Sequence, residues 1–568
     1  MKARLLHSDR NFHSTPALPW NTDALSTDLE LTKLFSAMAG DDEYILGVVK
    51  STVLTGFEND IETIRYRQEV LRDCLGNAAV VREMYAIVVE ATERDKSTGR
   101  SSLARNPDWV LRWATSAIEA FLDTLERLRI IAESHQQSFT SDGFSDLLSM
   151  LKSELSAEYC ADVRSHLQRL KFREGIKLGA RLGKGNKGSD YILLHPPSYD
   201  GAQGQVRMEG LKKFNDWFFG RGRDPFVFTL EPQDEGGAVA LGNLRNQGLA
   251  LAASALGESA EHVHSFLGML RAELAFYVGC VNLHDQLARS GQSICVPQPM
   301  PPGPHGLAFE ELRDCALALT QSDPIVGNNA QANEMDIILV TGANQGGKST
   351  YLRSIGQAQL MMQCGMFVTA NSFSSSLIDG LSTHFRREED ASMESGKFDE
   401  ELGRMSEIVD HVTPNSLILF NESFASTNER EGSEIARQIT SALIDHRVRL
   451  ICVTHLYDLS QSFSEQTEAR VMFLRAERRE DGTRSFKIVE AEPLRTSFGE
   501  DLYKQIFYAE KPTPDQDESE IDVETETETE TMVHEPTPVA DPIESQSPPD
   551  EPVKVSPARN VVPRIGHR

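Results

Sequence analysis

At 568 residues the chain is too long for one compact core, and a formal net charge of −28 argues against a uniformly basic nucleic-acid-coating protein. Hydrophobic residues at 40% and charged residues at 25% match a globular chain able to fill roughly two to four domain cores. No apolar run approaches the roughly 20 residues a membrane-spanning helix needs, and the N-terminus carries too few consecutive apolar residues for a secretion signal. The seven cysteines are scattered without paired metal-ligand spacing, which reads as small buried apolar residues in a reducing compartment and makes a cytoplasmic location the default expectation.

In chain order, residues 1–27 read as a polar leader without periodicity. From 28 the pattern turns helical. Its cleanest run places Ile64, Tyr66, Val70, Leu71 and Leu75 on one face, with Arg65, Arg67, Gln68, Glu69 and Arg72 between them. Similar runs cover 109–131, 144–170 and 241–287, while strand signals appear only at 191–194 and 226–229. Between Arg164 and Arg223 stand 13 Lys/Arg against 5 acids, with Phe172, Phe214 and Trp217-Phe218-Phe219 interleaved. A basic, aromatic-laced surface suits phosphate backbones through counterion release, and Lys184, Lys187, Lys212, Lys213, Arg221 and Arg223 are the candidate contacts. A solvated face with a few core aromatics is the equally weighted alternative.

Five prolines within 297–304 read as a stiff linker and a domain boundary. Beyond it, short apolar runs at 337–340, 366–368, 417–420 and 450–453 alternate with helical stretches, as expected for strands buried on both faces of a parallel sheet. From 510 onward 15 acidic and 5 basic residues, many prolines and a Glu-Thr repeat read as a disordered acidic tail, which leaves a net charge of −18 on the body.

The strongest chemical signal follows the first of those strands. Gly342-Ala343-Asn344-Gln345-Gly346-Gly347-Lys348-Ser349 fits G-x-x-x-x-G-K-[ST] at every constrained position. Its glycines let backbone N–H groups wrap phosphates at the N-terminus of the following helix, where the helix dipole favours anions. Lys348 is expected to bridge the outer phosphates of ATP and Ser349 to ligate Mg²⁺. The strand at 417–420 ends in Asn421-Glu422, the form of a Walker B motif with Asn at the usual magnesium-side Asp. Asn421 can hold a metal-bound water without adding charge, and Glu422 is placed to orient and deprotonate the attacking water. Val453-Thr454-His455, at another strand end, puts His455 where it can sense the γ-phosphate or that water.

Residues 341–350 (Thr-Gly-Ala-Asn-Gln-Gly-Gly-Lys-Ser-Thr) resemble the phosphate loop of the MutS family, with an Asn two residues after the first glycine and a double glycine. Residues 422–432 are similar to that family's segment after Walker B, with Thr427 and Gly432 in matching places, and Val453-Thr454-His455 matches its histidine switch. Pro324-Ile325-Val326-Gly327-Asn328 resembles the stretch that contacts adenine there, which implies that Ile325 and Val326 flank the base and that Thr350 belongs to the nucleotide site. Asp28-Leu29-Glu30-Leu31 and Arg67-Gln68-Glu69-Val70-Leu71 look like pieces of the family's helical core and lever. The likeness is close over about 306–465 and looser but collinear over 28–290.

The departures shape the expectation. Mismatch-reading members carry an N-terminal Phe-x-Glu wedge and a connector. Lever-like sequence starts here at 28, so mismatch reading by that route is not expected. The family's serine that reaches across a dimer ahead of Phe-x-x-Glu has Gly396 in its place, with Ser395 one position earlier and Phe398 and Glu401 matching.

The fold expected is therefore an α/β P-loop NTPase domain of ABC type, MutS-like, at 306–510. It is preceded at 28–296 by an all-α core and lever domain with a small clamp-like insert near 175–235 and followed at 511–568 by the tail. The expected function is an ATP hydrolase that binds duplex or branched DNA as a homodimer. A nucleotide-gated protein scaffold without DNA binding is the alternative, favoured by the acidic body, and a binding-only pseudo-ATPase follows if Asn421 disables turnover.

Overall fold

The computed structural model describes residues 1–13, 16–96, 106–172, 176, 178–182, 188–193, 235–303, 305–321, 323–387, 396–465, 469–479 and 483–494. The described residues, which end at 494, belong to one compact unit. The acidic tail read at 511–568 lies outside the described residues, as do the strand read at 226–229 and most of the basic insert.

Eight helices open the chain: α1 (Thr22–Asp28), α2 (Leu31–Ala39), α3 (Glu43–Leu54), α4 (Ile61–Gly76), α5 (Ala78–Lys96), α6 (Pro107–His135), α7 (Asp142–Glu154) and α8 (Ala157–Leu170). Their starts are written locally. Asp42 and Asp60 cap α3 and α4 by accepting backbone N–H bonds, and Asn106 caps α6, whose first residue is proline. The apolar run at 144–170 is two helices, because the Ser156 hydroxyl accepts from Tyr159 N and restarts the helix after Leu155. An antiparallel pair, β1 (Leu178–Leu182) and β2 (Gly188–Leu193), precedes the 55-residue α9 (Glu235–Arg289). At 1.5 Å per residue α9 is roughly 80 Å long. It packs along α6, α5, α3 and α2. Among the described residues it alone is long and apolar enough to cross a membrane, yet 83% of its qualifying window is buried inside the protein.

The first residues correct the expectation of a polar leader. Leu5 and Leu6 are 0% exposed. Their backbone N–H groups donate to the buried Glu273 carboxylate of α9, Tyr277 Oη donates to Leu5 O at 2.7 Å, and Arg67 Nε donates to Leu6 O at 2.8 Å. Arg67 and Gln68, which periodicity puts on the polar side of α4, are likewise buried and tie it to Leu6, Cys364 and Pro297. Two leucines carry no period, and their partners lie more than 60 residues away.

Burial pushes the Glu273 carboxyl up to about 7, against the pull of the Leu5 and Leu6 N–H groups and Arg67. A carboxyl raised in the folded state favours folding fully below its unfolded value. That contribution fades as pH rises through about 7. Thermal unfolding from pH 5 to 8 is expected to show Glu273→Gln gaining on the wild-type chain as pH rises, by up to about 3 kcal/mol. A difference that does not change with pH would remove Glu273 as the cause.

Two sheets follow. Gln298–Met300 (β3), Leu307–Leu312 (β4), Asn328–Gln331 (β5) and Ser372–Ser376 (β7) form a four-stranded sheet in the order β3-β7-β4-β5, with the short α10 (Cys315–Ala318) between β4 and β5 in the chain. The proline-rich stretch read as a linker thus supplies an edge strand, where Pro299 needs no N–H for a further neighbour. The larger sheet contains Ile337–Gly342 (β6), Leu381–Phe385 (β8), Leu417–Asn421 (β9), Arg449–Val453 (β10), Val471–Arg478 (β11) and Arg484–Glu490 (β12), ordered β12-β11-β6-β10-β9-β8. All its pairings are parallel except β11 with β12. Helices α11 (Lys348–Gln363), α12 (Lys397–His411), α13 (Glu429–Asp445) and α14 (Tyr457–Glu465) flank it. The run at 366–368 is a correction: only an isolated bridge joins Val368 to Cys295, because α11 ends at Gln363 and the chain turns at Gly365 (φ +84°).

Alternation along β6 explains the two cores. Ile338 and Val340 join one continuous cluster with α11 and the N-terminal helices, while Ile337 and Leu339 join a second under α12, α13 and α14. Because β6, β10 and β9 are parallel neighbours, their C-terminal ends lie side by side, and that adjacency positions the site.

Candidate nucleotide-binding site

The loop from Gly342 to Gly347 joins β6 to α11, as the glycine spacing predicts. Gly342 sits at φ +107°, where L side chains are strained. A Cβ on Gly346 would lie 2.7 Å from Ala476 Cβ and 2.9 Å from Ala343 O, so only glycine lets the loop close against β11. Lys348 opens α11 and is 5% exposed. Its Nζ donates to Gly342 O at 3.1 Å and Ala343 O at 2.9 Å, folded back onto its own loop. Burial pulls its pKa down, and Glu422 opposes that shift.

A cavity of about 840 Å³ opens over this loop, within the size range of small-molecule sites. Asn344, Gln345, Gly346, Gly347, Lys348, Ser349 and Thr350 line its floor, and Pro324, Ile325, Val326 and Asn328 line another wall. Gly342 and Ala343 do not line it; Ala343 is buried beneath the loop. Glu422 and His455 reach the cavity from the ends of β9 and β10. Asn421 lies behind them and accepts from Ser349 Oγ at 3.0 Å.

Glu422 is held from several sides. Its backbone is left-handed (φ +56°) and its N–H donates to Val453 O at 2.8 Å. A side chain forced into that region at a cleft is a sign of imposed geometry. Its Oε1 lies 3.0 Å from His455 Nε2, and its Oε2 lies 3.7 Å from Arg386. The hydrogen bond with His455 holds the Glu422 pKa below the usual carboxylate range; burial opposes this, and the His455, Lys348 and Arg386 charges add to it. The carboxyl is therefore ionised at neutral pH and can accept a proton.

Behind this face, Ser423 Oγ lies 2.8 Å from His384 Nδ1, and His384 Nε2 lies 3.0 Å from Glu401 O. A carbonyl only accepts, so Nε2 carries the ring proton. Burial lowers His384 to about 4, so it stays neutral, stacked 5.3 Å from Phe424. Glu401, matched in the Phe-x-x-Glu element, is buried and accepts from Ser426 Oγ at 3.0 Å. Gly432 is required where it stands, since a Cβ there would meet Phe424 O at 2.4 Å.

Of the nucleotide-site residues expected from sequence, all but Gly342, Ala343 and Asn421 line this cavity. Lys184, Lys187, Lys212, Lys213, Arg221, Arg223 and Ser395 lie outside the described residues; Gly396 precedes α12. Sequence reading missed Arg386, which follows β8 and whose N–H donates to Asn421 O at 2.9 Å. It also missed Phe486, which β12 brings to the cavity. Nothing local marks either residue, because strand order brings both to the cavity. Among the described residues no three His, Cys, Asp or Glu side chains gather to hold a metal ion.

A family model of the MutS2 N-terminal domain matches residues 59–290, and one of MutS domain V matches 338–512. The DNA mismatch repair protein MutS of Chloroflexus aurantiacus is 29% identical over 203 residues, covering 33% of this chain and 21% of that protein. Its namesake in Nostoc punctiforme is 33% identical over 151 residues, 26% and 17% of the two chains, and that of Clostridium botulinum 33% over 139 residues, 24% and 15%. The chain therefore matches about a fifth or less of the length of these relatives.

Proposed function

Because the chain belongs to the MutS family, we propose that it is a DNA-binding ATPase, working as a homodimer in the cytoplasm and recognising DNA structure through its helical half. The observation that carries this reading is the convergence of Lys348, Ser349, Glu422 and His455 on one cavity. ATP would lie with its phosphates on the loop and α11 N-terminus, and with its base toward Ile325 and Val326. Lys348 would exchange its loop carbonyls for the outer phosphates. Glu422 would take a proton from a water as that water attacks the γ-phosphorus and ADP departs, with His455 holding the carboxylate in place.

The donor chemistry fits magnesium: the Ser349 hydroxyl and Asn421 amide oxygen are hard oxygen ligands 3.0 Å apart. Mg²⁺ entering with ATP would be held there and would neutralise phosphate charge. Both protein donors are uncharged, so the triphosphate itself would supply most of the attraction.

Coupling to the helical half has a physical route. Arg353, one turn into α11, pairs with both Glu30 at the start of α2 and Asp314. Gln357, a further turn on, donates to Leu29 O at 2.9 Å. Movement of the phosphate loop would therefore be passed to the helices through the helix that begins in it. We assign 28–296 to a core and lever with a clamp near 175–235, and 306–510 to the ATPase domain, with an acidic tail after it.

Steady-state ATP turnover with linear duplex, branched and single-stranded DNA tests the proposal. Turnover should change several-fold with one DNA form, and binding of that form should weaken steeply with salt as counterions are displaced. Turnover indifferent to every DNA would sink the DNA assignment. The acidic body, −18 without its tail, favours a nucleotide-gated protein scaffold as the second reading in that event.

A further inference from the structure

Strand register sets Arg386 beside Glu422. β8 and β9 run parallel with Phe385 opposite Asn421, so the next residue after each strand, Arg386 and Glu422, comes to the cavity wall as its neighbour. The segment that carries Arg386 is pinned at three successive residues. Phe385 O accepts from Arg404 Nη1 at 3.1 Å, and the Arg386 N–H donates to Asn421 O at 2.9 Å. Arg387 then pairs at 3.2 Å with Asp28, a buried carboxylate at the end of α1. The backbone is held from both sides, while the Arg386 side chain is 45% exposed and lines the cavity.

The contact that side chain makes is a loose one. Its guanidinium lies 3.7 Å from Glu422 Oε2, longer than a charge-assisted hydrogen bond, whereas His455 holds Oε1 of the same carboxylate at 3.0 Å. An ion pair this long and this open to water is weakly held, and it leaves most of the five guanidinium N–H donors for another acceptor. Charge points to what that acceptor is. Among the described residues, Lys348 and Arg386 are the two Lys/Arg side chains that line the cavity, and the magnesium-side donors Ser349 and Asn421 bring no charge. A water poised on Glu422 for in-line attack stands about 3–3.5 Å from the phosphorus, so a guanidinium beside Glu422 is within a side chain's reach of the γ-phosphate oxygens.

We propose that Arg386 is a second phosphate-binding cation, which leaves Glu422 for the γ-phosphate of ATP and stabilises the charge on it during hydrolysis. The assignment rests on the ATP site proposed above and deepens it by dividing the triphosphate between two cations. Lys348 comes from the loop, and Arg386 comes from the side of the attacking water. As the water oxygen bonds to the γ-phosphorus and the bond to the β,γ-bridging oxygen breaks, Glu422 takes the water's proton and ADP carries the displaced electron pair. Arg386 holds the equatorial oxygens through that step and exchanges no proton. It also leaves Glu422 free to meet the water, since the guanidinium is drawn to the phosphate.

Equilibrium binding of ADP and of the β,γ-imido analogue of ATP to the full chain, with steady-state ATP turnover, tests the proposal. Arg386→Ala should bind the analogue roughly 10- to 100-fold more weakly, the range for one hydrogen-bonded charged group, and keep ADP affinity within about twofold. Its turnover should fall roughly 10²- to 10³-fold. Arg386→Lys should recover much of the analogue affinity and less of the turnover, because an ammonium supplies the charge without the planar fork. Unchanged ADP affinity also shows that the variant is folded. Equal losses of ADP and analogue, or analogue affinity within about twofold of wild type, would overturn the assignment. So would an acid limb of turnover that moves up in pH with analogue affinity unchanged, because Arg386 would then act through Glu422 alone. A wild-type chain that binds neither ligand would overturn the underlying site, and this assignment with it.

Discussion

Lys348→Ala is expected to lower ATP turnover by roughly 10²- to 10³-fold, the usual cost of removing one preorganised charge-stabilising donor. The reason lies in where the Lys348 ammonium sits. Its side chain is almost wholly buried, and its two partners are carbonyls of its own loop. Burial has already stripped most of its water, and Glu422 across the cavity opposes the resulting fall in pKa. A cation so placed loses little on meeting a triphosphate and gains a full charge-assisted contact. Alanine would also leave two loop carbonyls without that donor, so the loop itself should loosen. Turnover and ATP affinity measured together check the result; turnover within about tenfold of wild type would move the phosphate site elsewhere.

Glu422→Gln should separate binding from chemistry. The amide cannot take a proton from water, so turnover should fall roughly 10²- to 10⁴-fold, the contribution of a positioned general base. ATP affinity should hold or rise, because the variant removes a negative charge from a cavity that receives a triphosphate. The pH dependence follows from the lowered carboxyl. The His455 hydrogen bond keeps Glu422 ionised through the ordinary carboxylate range, so its loss of function on acidification should begin only below that range. Single-turnover rates and equilibrium ATP binding, taken from pH 8 downward, measure both features. A variant that hydrolyses ATP normally would transfer the base role to His455 or to water alone.

Much of this site was legible before any fold was drawn, for a physical reason. A phosphate loop works through consecutive backbone N–H groups, so Gly342 through Ser349 must be contiguous, and contiguous patterns survive in a sequence. The strands that aim Glu422 and His455 are also local: a run such as 417–420, buried on both faces, has no polar alternation to hide it. Asn421 and Glu422 were readable because they end such a run, and the structure puts the Asn421 amide on Ser349 across 72 positions of sequence.

What the tertiary structure decided is of another kind. Leu5 and Leu6 look like a polar leader's stray apolar pair until Glu273, Arg67 and Tyr277 close around them. Arg67 has the spacing of a solvated residue, and it is buried because α4 packs on the end of α11. Pro299 reads as a linker residue and is an edge strand, since its missing N–H costs nothing on the outer side of a sheet. Met366 to Val368 has the composition of a strand, but the chain is turning under α4 and has no ladder to join. Arg386 and Phe486 reach the cavity only through strand order, which places β8 beside β9 and folds β12 back along β11. Periodicity and motif spacing report short-range physics: helical faces, caps and loops that wrap an anion. Which distant polar group meets a buried backbone, and which aromatic covers a cavity, depends on packing between segments tens to hundreds of residues apart, and no local pattern encodes that.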